Sequence, residues 1–180
     1  MNASRLPEGS RVLADRACID DMVRRLGHQI STDYAGEDLR LITVLKGGLL
    51  FVSDLCRAIS IPLQIDFLGV QPYAHGQGGL VRLTMDLCDD IEGSGVILVE
   101  DVINTGLTAN YVLALLRARN PRRLDVCTLL DKPSRRIADI PISYRGMETS
   151  EGFLVGYGLD LNGRYRNLPF VATLPDEVVF

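Results

Sequence analysis

The fold is decided by the stretch Val96-Ile97-Leu98-Val99-Glu100-Asp101-Val102-Ile103-Asn104-Thr105-Gly106-Leu107-Thr108. Its first four residues are apolar and mostly β-branched, which predicts a buried strand. Two acids follow the apolar run, and a small turn with hydroxyl side chains then precedes a helical pattern over residues 108–119. Backbone N–H groups at the start of a helix favour an anion, and Gly106 lets the backbone come close to it. The stretch therefore predicts a ribose-5-phosphate site, with the acids on the sugar hydroxyls.

The pair Thr105-Gly106 alone would be equally typical of an ordinary helix cap beside solvated acids. The whole string over residues 100–108 favours the sugar-phosphate interpretation. It contains neither the Walker pattern nor the three-glycine fingerprint of dinucleotide-binding proteins. Nucleotide hydrolysis and hydride transfer are therefore excluded.

Apolar runs alternate with helical patterns on both sides of this stretch. Helices are predicted over residues 18–34, 49–59 and 108–119, and strands over 41–45, 63–70, 96–99, 124–130 and 153–155. Strands separated by helices need crossover connections, so we expect an α/β domain with a mostly parallel sheet flanked by helices. Residues 71–90 show weak periodicity and several glycines, which predicts a mobile loop with a short hairpin portion.

Composition limits the classes of protein that remain. The chain has 180 residues, 47% of them hydrophobic, and a formal net charge of −4, which fits one globular domain and excludes disorder. A nucleic-acid binder driven by bulk charge is not expected, and neither is a membrane protein, because every apolar run is short. Four scattered cysteines and two histidines suggest neither a disulfide framework nor a zinc site. The first residues lack the apolar core of an export signal, so we expect a cytoplasmic protein.

The stretch over residues 96–108 resembles the phosphoribosyl-diphosphate motif of type I phosphoribosyltransferases, and three further segments resemble their hypoxanthine-guanine branch. Residues 45–48 (LKGG) resemble the pyrophosphate loop, 130–136 (LDKPSRR) the base-recognition segment, and 153–160 with Arg166 the carboxyl-terminal hood. The four segments occur in family order along nearly the whole chain. The resemblance implies a type I phosphoribosyltransferase fold in a single domain over 1–180. Its core would span about 35–150, with a small hood formed by the N-terminal segment and about 151–180.

The resemblance also implies which residues bind 5-phosphoribosyl 1-diphosphate. Glu100 and Asp101 would hold the ribose hydroxyls, and Lys46 and Gly47 the departing pyrophosphate, beside an unusual non-proline cis peptide. The 5-phosphate would be held by Asn104, Thr105, Gly106, Leu107 and Thr108. Arg166 would neutralise the pyrophosphate, and Mg²⁺ would be bound by Asp160 with Glu100 and Asp101. An ordinary exposed turn residue remains the alternative for Lys46.

The purine base would be recognised by a second set of residues. Lys132 would donate to the 6-oxo group, Phe153 would stack on the base, and carbonyl groups at Leu154 and Asp160 would meet a 2-amino group. Tyr73 matches the family's loop tyrosine, whose loop closes over the reaction. Simple packing in the core remains the alternative for Phe153. The implied catalytic residues are Asn104, Lys132 and Arg166.

The reaction implied is transfer of phosphoribose to hypoxanthine or guanine, with release of pyrophosphate. Two residues depart from the family pattern: Asn104 stands where the family has an aspartate, and Pro72 where it usually has a serine. An amide does not take up a proton, so general-base help of about 10²–10⁴ in rate would be missing. Two alternatives therefore stay open: a phosphoribosyltransferase for a 7-substituted 7-deazapurine in nucleoside-antibiotic biosynthesis, and a non-catalytic regulator that binds the diphosphate. Members of the family associate, so we expect a homodimer or homotetramer.

Overall fold

The computed structural model describes residues 6–72 and 81–179, and these residues form four α-helices, one short 3-10 helix (Pro133–Arg135) and nine strands. The helices are α1 (Arg16–Asp33), α2 (Leu49–Ala58), α3 (Leu107–Arg117) and α4 (Asp176–Val179). The strands are β1 (Arg11–Ala14), β2 (Leu39–Leu45), β3 (Leu63–Pro72), β4 (Val81–Met85), β5 (Gly95–Ile103), β6 (Arg123–Asp131), β7 (Tyr144–Glu148), β8 (Phe153–Val155) and β9 (Val171–Leu174). Within these residues, no helix is both long enough and apolar enough to cross a membrane.

Six strands form the large sheet, in the order β4-β3-β2-β5-β6-β7. All neighbouring pairs are parallel except β3 and β4, which pair antiparallel at one edge. The predicted mostly parallel sheet is therefore confirmed, and β4 is the hairpin portion expected within residues 71–90. Since β5 lies between β2 and β6, the carboxyl ends of these three strands meet at one edge, where α/β sheets bind ligands.

Helices cover both faces of the large sheet, because its strands carry apolar side chains on both faces. In β5, Ile97 and Val99 pack with the core formed by α1 and α2. Val96 and Leu98 pack on the opposite face, with the buried residues of α3. A parallel strand buried on both faces appears in sequence as a continuous apolar run, which explains why this strand was the easiest to predict.

The hood is a three-stranded sheet in the order β1-β9-β8, and so it combines residues from near both ends of the chain, as the resemblance predicts. Arg11 of β1 pairs with Thr173 of β9, and Phe153 of β8 pairs with Leu174. Tyr157, after β8, donates from its Oη to Asp54 Oδ2 of α2 at 2.7 Å and so links the hood to the core. The bounds of core and hood given above remain predictions; α1 packs on the large sheet, and β1 is the part of the N-terminal segment that lies in the hood.

The prediction that Glu100 and Asp101 follow the strand is wrong. Strand β5 continues to Ile103, and its pairing with β6 runs from Gly95↔Arg123 to Ile103↔Asp131. Beyond Val99, where the pairing with β2 ends, β5 keeps its backbone hydrogen bonds to β6, so the hydrophobic pattern placed the strand end too early. Both acids are therefore held by the sheet itself.

Other bounds shift by at most two residues. Helix α1 begins at Arg16 because Asp15 caps it, with Oδ1 accepting from the Cys18 N–H at 2.8 Å. Helix α3 begins at Leu107, one residue before the predicted start, and ends at Arg117, two residues before the predicted end. Strands β1, β7 and β9 and helix α4 were not predicted. These elements have four or five residues, too few for a periodic pattern.

Candidate active site

The two acids of β5 are enclosed by the sheet and by the loop after β2. Glu100 is 8% exposed, and its Oε1 has no hydrogen-bond partner among the described residues. Burial and the neighbouring Asp101 raise the pKa of Glu100 well above its usual value. Burial likewise raises the pKa of Asp101 to about 6. The buried Glu100 Oε1 is therefore suited to accepting a hydrogen bond from a ligand, whereas Asp101 Oδ1 already accepts from the Val102 N–H at 2.8 Å.

The loop after β2 lies directly against Asp101. The peptide bond between Leu45 and Lys46 is cis, as the resemblance predicts. Gly47 follows, and a Cβ at this position would lie 2.0 Å from Asp101 Oδ2, so only glycine allows the loop to come so close. Lys46 is exposed and its side chain lines neither of the two cavities described below.

The turn between β5 and α3 forms a cavity of about 310 Å³, here called the turn cavity. It is lined by Glu100, Val102, Ile103, Asn104, Thr105, Gly106, Thr108 and Ala109. Gly106 precedes α3 with a φ of 80°, and the first N–H groups of the helix have no acceptor within it. Leu107 is not among the lining residues; its N–H donates to Thr105 Oγ1 at 3.4 Å. The turn has the size and the donors to bind a phosphate.

A larger cavity of about 370 Å³, the main cavity, lies between β5, β6 and the hood. It is lined by Val44, Leu45, Gly47, Glu100, Asp101, Val102, Asn104, Lys132, Arg135, Gly152, Phe153, Leu154, Leu159, Asp160, Arg166, Asp176 and Val179. Glu100 and Asn104 line both cavities, so the two join at the end of β5. The main cavity thus brings together residues from all four motif segments.

Lys132 follows β6 and is 3% exposed. Its Nζ donates to the carbonyl oxygen of Gly152 at 2.6 Å, next to Phe153. Burial and the nearby Arg135 lower the pKa of Lys132. A buried cationic donor at the edge of an aromatic side chain is suited to recognising an oxo group on a flat ring.

The hood contributes an ion pair to the lining of the main cavity. Arg166 Nη2 lies 2.6 Å from Asp160 Oδ1, and Nη1 donates to the Gly158 carbonyl oxygen at 2.5 Å. Asp160 Oδ2 accepts from the Gly163 N–H at 2.7 Å. One cation and one carboxylate therefore stand side by side, facing the acids of β5.

Sequence reasoning assigned no role to eight residues that line the main cavity, among them Arg135, Asp176 and Val179. Arg135 lies in the quoted base-recognition segment, three residues after Lys132, and that segment is the signal that points to it. Asp176 and Val179 belong to the four-residue helix α4, for which the sequence gives no signal. Tyr73 lies outside the described residues, while β3 ends at Pro72 just before it.

Comparisons with known proteins agree with this geometry. A family model described as a phosphoribosyl transferase domain matches residues 11–162. A hypoxanthine-guanine phosphoribosyltransferase of Mycobacterium tuberculosis is 45% identical over 175 residues, covering 93% of this chain and 87% of that protein. This chain belongs to the hypoxanthine-guanine phosphoribosyltransferase family. It is therefore a pentosyltransferase by family.

Solved structures support the same assignment. A crystal structure of a hypoxanthine phosphoribosyltransferase from Staphylococcus aureus is 41% identical, with a TM-score of 0.90 and coverage of 94% of both chains. The hypoxanthine phosphoribosyltransferase of Trypanosoma cruzi in complex with the product IMP is 34% identical, with a TM-score of 0.88. That match covers 93% of this chain and 95% of the other. The type I phosphoribosyltransferase fold is thus confirmed.

Proposed function

We propose that this protein transfers phosphoribose from 5-phosphoribosyl 1-diphosphate to hypoxanthine or guanine. The products are pyrophosphate and the nucleoside monophosphate. One observation carries the proposal: the turn cavity, suited to a phosphate, joins the main cavity, suited to a base, at Glu100 and Asn104. A sugar bound at this junction would have its phosphate on one side and its reacting carbon toward the base. The names of the relatives favour this reaction over a deazapurine-specific enzyme or a regulator.

The sugar diphosphate is held at both of its ends. Glu100 and Asp101 accept hydrogen bonds from the ribose hydroxyls, and the turn over residues 104–108 binds the 5-phosphate. Lys46 and Gly47 bind the pyrophosphate through their N–H groups, and Arg166 neutralises its charge. Positive charge develops on the ribose as pyrophosphate leaves, and the nearby acids of β5 stabilise it.

The base is held on the other side of the junction. Lys132 exchanges its bond to the Gly152 carbonyl for one to the 6-oxo group, and Phe153 stacks on the ring. Carbonyl groups at Leu154 and Asp160 accept from a 2-amino group when the base has one. Holding base and sugar at bonding distance supplies much of the acceleration. Asn104 orients the base but takes no proton from it, and closure of the loop with Tyr73 excludes water.

Magnesium fits the residues present. The described residues contain no group of three or more potential metal ligands. Mg²⁺ is usually bound through one or two carboxylates together with substrate phosphates, so a complete protein cage is not required. Asp101 and Asp160 line the same cavity, and Glu100 Oε1 has no partner within residues 6–72 and 81–179, so these carboxylates are the ones to hold the ion. When bound, Mg²⁺ would supply positive charge to the leaving pyrophosphate. We also propose that the protein is a homodimer or homotetramer in the cytoplasm.

The test is base-dependent release of pyrophosphate from the diphosphate in the presence of Mg²⁺. Hypoxanthine and guanine should stimulate release, and adenine, which has a 6-amino group, should not. Lys132→Gln should lower kcat/KM for hypoxanthine about 10- to 100-fold, the value of one hydrogen bond to a charged donor. Arg24→Gln, which changes an exposed cation of α1 that is paired with Asp21, is the matched control and should leave the rate unchanged.

Two results would contradict the proposal. Release that no purine stimulates would instead support the regulator. Release stimulated only by 7-cyano-7-deazaguanine would support the deazapurine enzyme.

A further inference from the structure

The segment after β6 lies along the turn after β5 and holds its backbone carbonyl groups. The N–H of Lys132 donates to the Ile103 oxygen at 3.0 Å. The N–H groups of Ile137 and Ala138 both donate to the Thr105 oxygen, at 2.8 and 2.9 Å. Two of the three carbonyls between residues 103 and 105 are therefore fixed by backbone groups from residues 132–138.

Arg136 holds the carbonyl between them. Its Nε donates to the Asn104 oxygen at 3.0 Å, and its Nη2 donates to the Ile103 oxygen at 3.2 Å. The same Nη2 bonds to Asp131 Oδ1 at the end of β6. One guanidinium thus joins three acceptors from two strands, an arrangement that its planar fork allows and a lysine ammonium does not reproduce.

The guanidinium is itself fixed by a buried carboxylate. Asp131 is 1% exposed, and its second oxygen, Oδ2, lies 2.9 Å from Arg145 Nε of β7. Two cations therefore neutralise one buried acid, and removing either one weakens a buried ion pair. Only Arg136 also reaches the turn after β5. Comparing substitutions of the two arginines therefore distinguishes an effect on stability from an effect on the site.

The fixed carbonyls determine where the N–H groups point. In a trans peptide, the C=O of one residue and the N–H of the next point in opposite directions. The peptide bonds after Ile103, Asn104 and Thr105 are trans. Since their carbonyls face residues 132–138, the N–H groups of residues 104–106 face the other way, on the side of the turn cavity that these residues line.

We propose that Arg136 is a positioning residue for phosphate binding: it orients the peptide planes of residues 103–105 so that their N–H groups face the 5-phosphate. Arg136 lines neither cavity and acts only through the backbone that it holds. Its positive charge also polarises the carbonyls, which strengthens the N–H donors on the opposite side of each peptide. The inference rests on the proposed function, because the ligand is the phosphate of the nucleotide or of the sugar diphosphate.

The experiment compares binding of inosine 5′-monophosphate with binding of inosine, which lacks only the phosphate. Arg136→Gln should weaken binding of the monophosphate about 10- to 100-fold and change binding of inosine less than 3-fold. Arg136→Lys keeps the charge without the fork and should recover only a small part of the loss. Arg145→Gln is the matched control. It should lower the melting temperature as Arg136→Gln does, but it should leave the ratio of the affinities for the monophosphate and for inosine unchanged.

The inference is overturned if Arg136→Gln weakens binding of the monophosphate and of inosine equally. It is also overturned if Arg145→Gln changes the ratio of these two affinities as much as Arg136→Gln does. Should Arg136→Gln fail to fold, Arg136→Lys decides: a wild-type affinity ratio overturns the inference, and a selective loss of monophosphate binding supports it. If the wild-type protein binds no monophosphate at all, the proposed function fails instead, so the two failures are distinguishable.

Discussion

Position 104 carries an amide where the two cavities meet, and its side chain is exposed to both. An amide donates and accepts hydrogen bonds but does not take a proton from a reacting base. The carboxylates of Glu100 and Asp101 line the main cavity with Asn104 and belong to the ribose part of the proposed site. The raised pKa of Asp101, about 6, still leaves it mostly ionised at neutral pH. The protein therefore has no assigned proton acceptor on the base side of the junction.

Replacing Asn104 by aspartate supplies that acceptor. We expect Asn104→Asp to raise kcat for hypoxanthine by about 10², the lower end of what a positioned general base contributes. Asn110→Asp places the same charge on the exposed side of α3 and should leave kcat unchanged. Steady-state rates of the three proteins decide the matter. Equal rates for wild type and Asn104→Asp would mean that this position does not reach the proton.

Individual residues could be predicted from sequence wherever a motif fixed their place. Asp101, Lys132 and Arg166 come from three separate segments and line one cavity, as expected. Asp176 could not be predicted, because it reaches the cavity only through the pairing of β9 with β8, which brings the residues after β9 beside Gly152. Roles that depend on distant pairing leave no local pattern.

The start of α3 shows how one element depends on another. Gly106 has a φ of 80°, and a Cβ at this position would lie 2.6 Å from the Ala138 carbonyl oxygen. Gly36 has the same φ of 80°, but nothing lies within 4 Å of its Cβ position. The two glycines therefore share a backbone conformation and differ in whether a neighbouring backbone blocks a side chain.

Alanine substitutions separate these two effects. Gly36→Ala should lower the free energy of unfolding by about 1–2 kcal/mol, the cost of the left-handed conformation alone. Gly106→Ala should cost more, because the carbonyl of Ala138 cannot move without disturbing the turn, and should also weaken binding of inosine 5′-monophosphate at least 10-fold. Urea denaturation and nucleotide titration measure the two quantities. Equal losses of unfolding free energy in the two variants would contradict a steric effect of the Ala138 carbonyl at position 106.

Secondary-structure elements could be predicted where a buried element also had a long apolar run. The apolar runs of β2, β5 and β6 were recognised because parallel strands covered on both faces show little polar alternation, and β3 was recognised although Gln64 and Asp66 alternate with its first apolar residues. The last four residues of β5 were missed, because Glu100 and Asp101 interrupt the apolar pattern while the ladder to β6 continues. Functional acids inside a strand break the rule that a strand ends with its hydrophobic residues.

At the scale of the molecule, a polar cluster at the amino end of β6 joins α1 to the sheet. Asp125 Oδ2 accepts from Tyr34 Oη at 2.7 Å and from Arg123 Nε at 2.6 Å, and Oδ1 accepts from Ser143 Oγ at 2.6 Å. Burial alone would raise the pKa of Asp125, but the bonds from Ser143, Tyr34 and Arg123 outweigh it, so the pKa is lowered. The cluster lies at the opposite end of β6 from Lys132.

Removing the charge of Asp125 should destabilise the whole fold without affecting the site. Asp125→Asn should cost about 2 kcal/mol at pH 7, typical for hydrogen bonds to a charged group. Because the folded pKa lies below the unfolded value of about 3.9, the charge stabilises above that value, and the difference from wild type should vanish as pH falls through the folded pKa. Asp86→Asn, which breaks an exposed pair with Arg119, should cost less than 1 kcal/mol. Thermal unfolding from pH 7 to 3 tests both variants, and a pH-independent difference would contradict the assignment.

The order of the hood sheet has a consequence for protein synthesis. Strand β9 lies between β1 and β8, so neither of these has its hydrogen-bond partner until residues 171–174 have left the ribosome. Residues 95–138, which form the turn cavity and the segment that holds it, emerge well before. A nascent chain therefore completes the turn cavity before the hood completes the main cavity. If the turn cavity binds the 5-phosphate as proposed, phosphate-bearing metabolites would stabilise the unfinished polypeptide before any transfer reaction is possible.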